Sequence, residues 1–465
     1  MPEEEKTYAE TSLEEIQDGI LELLDAKKYI RAREILLSLN EADIADVIGE
    51  TENRLGIEIA IVLFRMLPKD EAAEVFSRLS IDDQTGIIAR ITDKEIKTII
   101  DEMDFDDMID VLEELPANIV DKILEKSTRE ERRLINTFLN YPEDCAGSLM
   151  TPDYITLKQE WTVGEALAHI KSAGMDSETV YTCYVKDRGR RLLGIVSLRS
   201  LVTTEPEEPI SELMEEDVIF VNVYDDREKV SELFTRYGFL AIPVVDNEKR
   251  LVGIITFDDV LLAIEEETTE DIERMGGVIS SDDKEYFDTT ILGQVKSRLP
   301  WLLILMASAM CTGLVIMHFE LQLAKLPSLA IYLPLLMGTG GNSGSQSSTL
   351  IIRGLALGEV TPKDAPRVLF KEVRIAILTA AALSAVNMAK IMLVDSRPLD
   401  VAITVCCSQM IVIVLAKCLG GLLPLLAKKV GIDPALMAAP FISSLTDTFT
   451  CFVYFSLSTI ILAYI

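Results

Sequence analysis

Between Leu299 and Ile465 the chain supplies five apolar stretches of the length a bilayer requires, and one of them carries an aspartate near its middle. A hydrocarbon core about 30 Å thick is crossed by roughly 20 mostly apolar residues in a helix. Leu299–Phe319 meets this with no charge inside. Leu329–Leu357 is apolar at both ends but interrupted at residues 338–346 by the string GTGGNSGSQ. Ala376–Val394, Leu399–Ala427 and Ala435–Ile465 complete the set. Such a segment excludes a wholly soluble fold, so the rest of the chain must form a separate part.

Charge divides the same way. The chain has 465 residues, 49% of them hydrophobic, yet a formal net charge of −32. From Pro300 to Ile465 there are 11 Lys+Arg and 8 Asp+Glu, a net of +3; the first 299 residues hold 33 and 68, a net of −35. An acidic soluble part joined to a membrane part is the reading that fits. A surface of −35 repels polyanions, which excludes nucleic acid as a partner. His169 and His318 are the only histidines, too few for a His-rich metal site or a Ser-His-Asp triad. The seven cysteines include no CxxC pair and read as buried, reduced thiols. Residues 1–15 are acidic and unlike a signal peptide, so the N-terminus is expected in the cytoplasm and, after five spans, the C-terminus outside. The basic loops agree: Arg353, Lys363, Arg367, Lys371 and Arg374 follow span two, and Lys428 and Lys429 follow span four. Only Lys325 and Arg397 fall on the opposite side.

Two features inside the spans are expensive in hydrocarbon. Asp447 lies deep in span five with Ser443, Ser444 and Thr450 at −4, −3 and +3, a polar stripe with no mid-span base to pair with it. A protonated Asp bonded to its neighbours is the bland alternative. The glycine-rich string in span two is expected to unwind or thin the helix and free backbone carbonyls; close helix packing through small residues is the other reading. Together they suggest an aqueous path lined by oxygen atoms and one carboxylate. That is chemistry for a hard, hydrated cation such as Mg²⁺.

The soluble half has two patterns. Residues 12 to about 140 repeat a turn, an acidic helix start and an apolar face: Leu67–Phe76, Met103–Leu112 and, more weakly, Leu39–Val47. This reads as a small helical superhelix with no catalytic constellation. Its acids Asp101, Glu102, Asp104, Asp106, Asp107 and Asp110 suit either a solvated, helix-capping face or a cation site. From Gly147 to about Glu266 strands and helices alternate twice. Leu149-Met150-Thr151-Pro152 through Gly194-Ile195-Val196-Ser197 is followed by Leu213-Met214 through Pro243-Val244-Val245-Asp246 and Leu251–Thr256. This resembles a tandem pair of CBS modules, regulatory βαββα units. In the second copy Thr256 and Asp259 resemble the family's ribose-binding pattern, which implies ATP or another adenine nucleotide; the first copy has Ser197 and Ser200 and lacks the acid. Helix capping alone also explains Thr256. Asp258 to about Met275 reads as one acidic connecting helix, with Glu265, Glu266, Glu267, Glu270, Asp271 and Glu273.

The order of parts resembles the MgtE family of magnesium channels, as does Pro334–Thr349 (PLLMGTGGNSGSQSST) followed by Arg353-Gly354-Leu355-Ala356. Gly431–Leu436 and Pro440 through Asp447 resemble that family's last-span region. The resemblance implies a multi-domain α+β membrane protein. It comprises an acidic helical domain (residues 1–140), the CBS pair (141–258), a connecting or plug helix and linker (259–298), and a five-helix transmembrane pore domain (299–465). It implies a homodimer in the lipid bilayer that imports Mg²⁺ through a pore on the two-fold axis and is not an enzyme. Asp447 would bind the hydrated ion, with Gly338, Gly341 and Asn342 lining the narrow part. Cytosolic Mg²⁺ would shut the pore at Asp259, Glu267, Glu270, Asp271 and Asp433, with Asp106, Asp107 and Asp110 as partners from the helical domain. Leu262 and Ala439 depart from the family's pattern, where an acid and an Asn can occur. Two other classes remain to weigh: a membrane-bound sensor without transport, and an intramembrane serine protease suggested by Gly341-Asn342-Ser343-Gly344, which lacks a following histidine.

Overall fold

The computed structural model describes residues 13–142, 144–175, 177–279, 289–321 and 327–463. It divides into two compact units, residues 1–263 and 264–465.

The first unit opens with short amphipathic helices between Leu13 and Phe138. The three repeats read from the sequence are helices Glu41–Leu55, Lys69–Ser77 and Phe105–Glu114, each with two acids in its first turn. Carboxylates there complement the helix dipole, and Asn40, Pro68 and Asp104 supply the extended residue before each start. Thr92 with Glu95 and Thr128 with Glu131 close reciprocal capping boxes on two further helices. The apolar faces meet in a core containing Ile48, Leu63 and Phe76, with Phe64 set edge-on to Phe76 at 6.0 Å.

Two copies of one small sheet follow. In the first, β1 (Tyr154–Leu157) pairs parallel with β2 (Thr179–Lys186), which pairs antiparallel with β3 (Leu192–Ser197). β4 (Val221–Asn222), β5 (Ala241–Val245) and β6 (Leu251–Thr256) repeat the order and senses. A parallel pair needs a crossover, supplied by helices Val163–Ala173 and Arg227–Tyr237. Fully buried Tyr184 of β2 packs against Ala241, Leu251 and Ile254, joining the two copies. The tandem βαββα reading holds. The acidic connecting helix is also present, as one helix from Phe257 to Gly276.

The second unit is built on five long helices: Ile291–His318, Leu333–Ala356, Ala365–Leu393, Leu399–Val430 and Ala439–Ala463. Segments of four, all but Leu333–Ala356, are long and apolar enough to cross a bilayer. Leu333–Ala356 has 24 residues, and its Gly/Ser centre dilutes the hydropathy. The expected unwinding of that centre is not what the structure has: the helix runs unbroken through residues 338–346. Its small residues serve close approach instead. A Cβ on Gly420 of the fourth helix would lie 2.1 Å from the Gly344 carbonyl oxygen, and one on Gly344 would lie 2.6 Å from Ile442 of the fifth. The second helix is thus wedged against the fourth and fifth with backbone on backbone, and its carbonyls stay in the helix. Gly420→Ala is expected to cost about 1–3 kcal/mol by overpacking. Melting in detergent checks this, with Gly313→Ala, where nothing lies within 4 Å, unchanged.

Candidate functional site

Asp447 stands two turns into the fifth helix and is half-buried. One turn earlier, Ser443 faces Gly341: a Cβ on that glycine would meet Ser443 Oγ at 3.0 Å. On Gly340 it would meet Thr450 Oγ1 at 3.1 Å. The glycines therefore bring the second helix onto the very turns that flank Asp447. Ser444 Oγ and Thr450 Oγ1 are buried and lack hydrogen-bond partners among the described residues. Buried hydroxyls are normally satisfied, so their lone pairs and protons are open to water or a hydrated ion. Thr448 bonds Thr312 at 2.7 Å and ties the fifth helix to the first.

Gly338, Asn342, Gln346 and Thr349 recur at helical spacing and are all exposed, forming one polar stripe along the second helix. Gly341, expected beside them, is buried on the face toward Ser443. The sequence reading also missed a base. Lys417 sits mid-way along the fourth helix, buried, with Nζ 3.4 Å from Ser347 Oγ.

Carboxylates converge in the first unit. Burial, reinforced by Asp259, Glu178 and Asp107, pushes Asp106 up to about 9. Burial, with Asp104, Asp259, Asp258 and Asp107 nearby, raises Glu178 to about 7. Asp259 is raised to about 6, chiefly by burial and then by Asp258 and Asp107, against the lowering effect of a hydrogen bond that its carboxylate accepts from Thr256 Oγ1 at 2.6 Å. Asp107 and Glu74 are raised for the same first reason, burial, with Asp104 adding to each. Carboxylate oxygens of Glu74, Asp104 and Asp107 lie within 4.8 Å of one another, a donor set that suits a hard divalent cation. Asp110 lies exposed a turn beyond. Glu74, Glu178 and Asp258 escaped the sequence reading because each is unremarkable in its own segment.

The remaining expected ligands lie in the second unit. Arg274 of the connecting helix bonds Glu270 one turn back, and its Nη1 donates to Asp433 Oδ2 at 2.5 Å. Asp433 Oδ1 accepts from the Ala435 N–H at 2.8 Å, capping the short turn Pro434–Met437. Glu267 and Asp271 are partly buried on the same helix, and Glu267 acts electrostatically on Arg274. Asp259, expected with this group, lies two turns or more up the helix in the first unit, where it acts electrostatically on Asp106 and Glu178.

Comparison with known proteins gives these clusters a family. Residues 39–144 match the MgtE intracellular N domain, 146–206 and 210–266 match CBS domains, and 333–457 match MgtE, a divalent cation transporter. A magnesium transporter MgtE of Thermus thermophilus is 35% identical over 436 residues, spanning 92% of this chain and 95% of that protein. The chain belongs to the MgtE family. A second MgtE magnesium transporter, of Bacillus subtilis, is 30% identical and covers 91% of this chain and 96% of its own. The cytosolic domain of the Mg²⁺ channel MgtE in complex with ATP aligns at TM-score 0.50 with 33% identity, over 53% of this chain and 99% of that one. The soluble part of a magnesium transporter does so at 0.50 and 29%, over 55% and 99%. These MgtE relatives are transporters, and the four apolar helices agree with a membrane location.

The raised carboxyl pKa values fix a sign. Their protonated forms are favoured by folding, so that stability is full below the ordinary carboxylate range and is lost as pH rises through about 6 to 9. In the absence of divalent cations, the full-length protein in detergent is expected to be digested faster at about pH 9 than at about pH 6. Mg²⁺ should abolish most of that difference. Equal rates at both pH values without metal would contradict the mutual repulsion.

Proposed function

We propose that this chain carries Mg²⁺ inward across the membrane along a path that passes Asp447, and that acids of its cytosolic half close the path when internal Mg²⁺ rises. The observation that carries the path is Asp447 beside two buried hydroxyls that lack hydrogen-bond partners among the described residues, on helix turns brought against the glycine face of the second helix. A carboxylate and hydroxyls at that depth suit an ion that keeps part of its water shell. Asn342 and Gln346 on the exposed stripe would be costly against lipid tails. That supports a homodimer in which two such stripes, with Gly338, face each other across a water-filled axis. The packed surroundings of Ser343, buried between Gly341 and Gly344, favour helix contact over the chemistry of an intramembrane protease. The chain is a transporter and not an enzyme on this reading, with its N-terminus cytoplasmic and C-terminus outside. The four-part division 1–140, 141–258, 259–298 and 299–465 is part of the same proposal.

For regulation, Glu74, Asp104 and Asp107 would hold a cytosolic cation, with Asp106, Asp110, Glu178 and Asp259 contributing their charge. A bound Mg²⁺ supplies positive charge where carboxylates otherwise repel one another. Glu270 and Asp433, with Glu267 and Asp271 on the same helix, are a second set, already drawn to a cation in the form of Arg274. The relative bound to ATP supports an adenine nucleotide at the CBS pair. Thr256 and Asp259 are its candidates, though the Thr256 hydroxyl is engaged by Asp259.

Mg²⁺ flux into liposomes holding only this protein tests the path. Asp447→Ala is expected to lower the flux at least about tenfold, an effect of roughly 1.4 kcal/mol or more on the barrier; silent wild-type liposomes or an unaffected variant would refute it. For the second acid set, Arg274→Gln removes the guanidinium that Glu270 and Asp433 share. The Mg²⁺ concentration giving half-maximal protection from protease should fall, and a rise would count against competition between Arg274 and metal.

A further inference from the structure

Three polar side chains are buried together where the second, third and fourth helices meet, away from the exposed stripe. Ser347 is 1% exposed, Lys417 5% and Glu372 6%. Ser347 Oγ donates to Glu372 Oε2 at 2.6 Å, and the Lys417 ammonium donates to the same Oγ at 3.4 Å. A serine hydroxyl is suited to that place because it donates once and accepts as well. Lys417 is 11 residues before Lys428, near the end of its helix, or roughly 16 Å at 1.5 Å per residue, too far for its head to reach water along the helix. A buried ion that loses its partner is strongly disfavoured, so charges kept at this depth are held for a reason.

The surroundings say what they hold. A Cβ on Gly421, next to Gly420, would meet Glu372 Cγ at 3.1 Å. The trio thus lies at the level of the Gly344–Gly420 backbone contact. Ser347 Oγ also lies 3.4 Å from the Ser343 carbonyl, one turn back and adjoining Asn342. We propose that Glu372, Ser347 and Lys417 form an electroneutral tie that fixes the second helix against the third and fourth and masks the Lys417 charge from the passing cation. All three are positioning residues: among the described residues their side-chain hydrogen bonds run to one another and to the Ser343 carbonyl. The proposal rests on the transport reading for its second half and on geometry alone for its first.

The charge logic separates this role from simple packing. Glu372→Gln leaves Lys417 unbalanced in a low-dielectric region, which repels a divalent cation. Lys417→Met leaves Glu372, which attracts one. Flux and melting are measured for Glu372→Gln, Lys417→Met, the double variant and Ser347→Ala, each as the full chain in liposomes or detergent. Glu372→Gln should raise the half-saturating Mg²⁺ concentration about threefold or more, Lys417→Met should leave it unchanged or lower it, and the double variant should return to within about twofold of wild type. Both single variants should melt below the double one, and Ser347→Ala should melt below wild type. A single variant that fails to assemble while the double assembles supports the tie. Single variants that shift half-saturation in the same direction, or a double variant that melts or assembles no better than either, would overturn it. Silent wild-type liposomes would instead refute transport, and the melting cycle would still decide the pairing.

Discussion

The membrane half depends on one steric fact, the contact of the second helix with the fourth at Gly344 and Gly420. No side chain fits between the two backbones, since even a Cβ on Gly420 would fall 2.1 Å from the opposing carbonyl. From that contact follow the seating of Gly340 and Gly341 on the turns around Asp447, the burial of Ser347 against Glu372 and Lys417, and the outward turn of Gly338, Asn342 and Gln346. Association in lipid draws little on hydrophobicity, so close packing and hydrogen bonds must position such a helix.

The acidic first unit works through an opposite device, a contact that is unfavourable unless neutralised. Asp106, Glu178 and Asp259 are raised to about 9, 7 and 6 by burial and by neighbouring carboxylates. Protons relieve that repulsion, and on the proposed regulation a divalent cation would relieve it too. The surplus of acid in the first 299 residues is thereby more than a solubility feature. A few of its carboxylates are placed where desolvation makes their charge matter.

Much of this was legible in sequence, for identifiable reasons. The repeated strand–helix–strand–strand order came through because β5 and β6 are dense in Val and Ile and bounded by turns. The connecting helix was legible because nothing between Phe257 and Gly276 breaks it. The glycine string was visible, but its effect was misjudged: loss of side chains weakens a helix in isolation, whereas here neighbouring helices occupy the space the side chains leave. Lys417 and Glu372 were hidden for another reason. Glu372 sits among the basic residues Lys371 and Arg374 and Lys417 alone in mid-helix, and they meet only across Ser347, from three different helices.

What the sequence by itself determined is what local chemistry determines: the division into acidic and apolar halves, the periods of helix and strand, and the rarity of an aspartate deep in a span. Tertiary structure decided which charges share a neighbourhood. It placed Asp259 near Asp106 and Glu178, gave Glu270 and Asp433 an arginine between them, and turned Gly341 inward while leaving Asn342 on the open stripe. Electrostatic and steric interactions act over a few ångströms in space, and distance along the chain does not encode that separation.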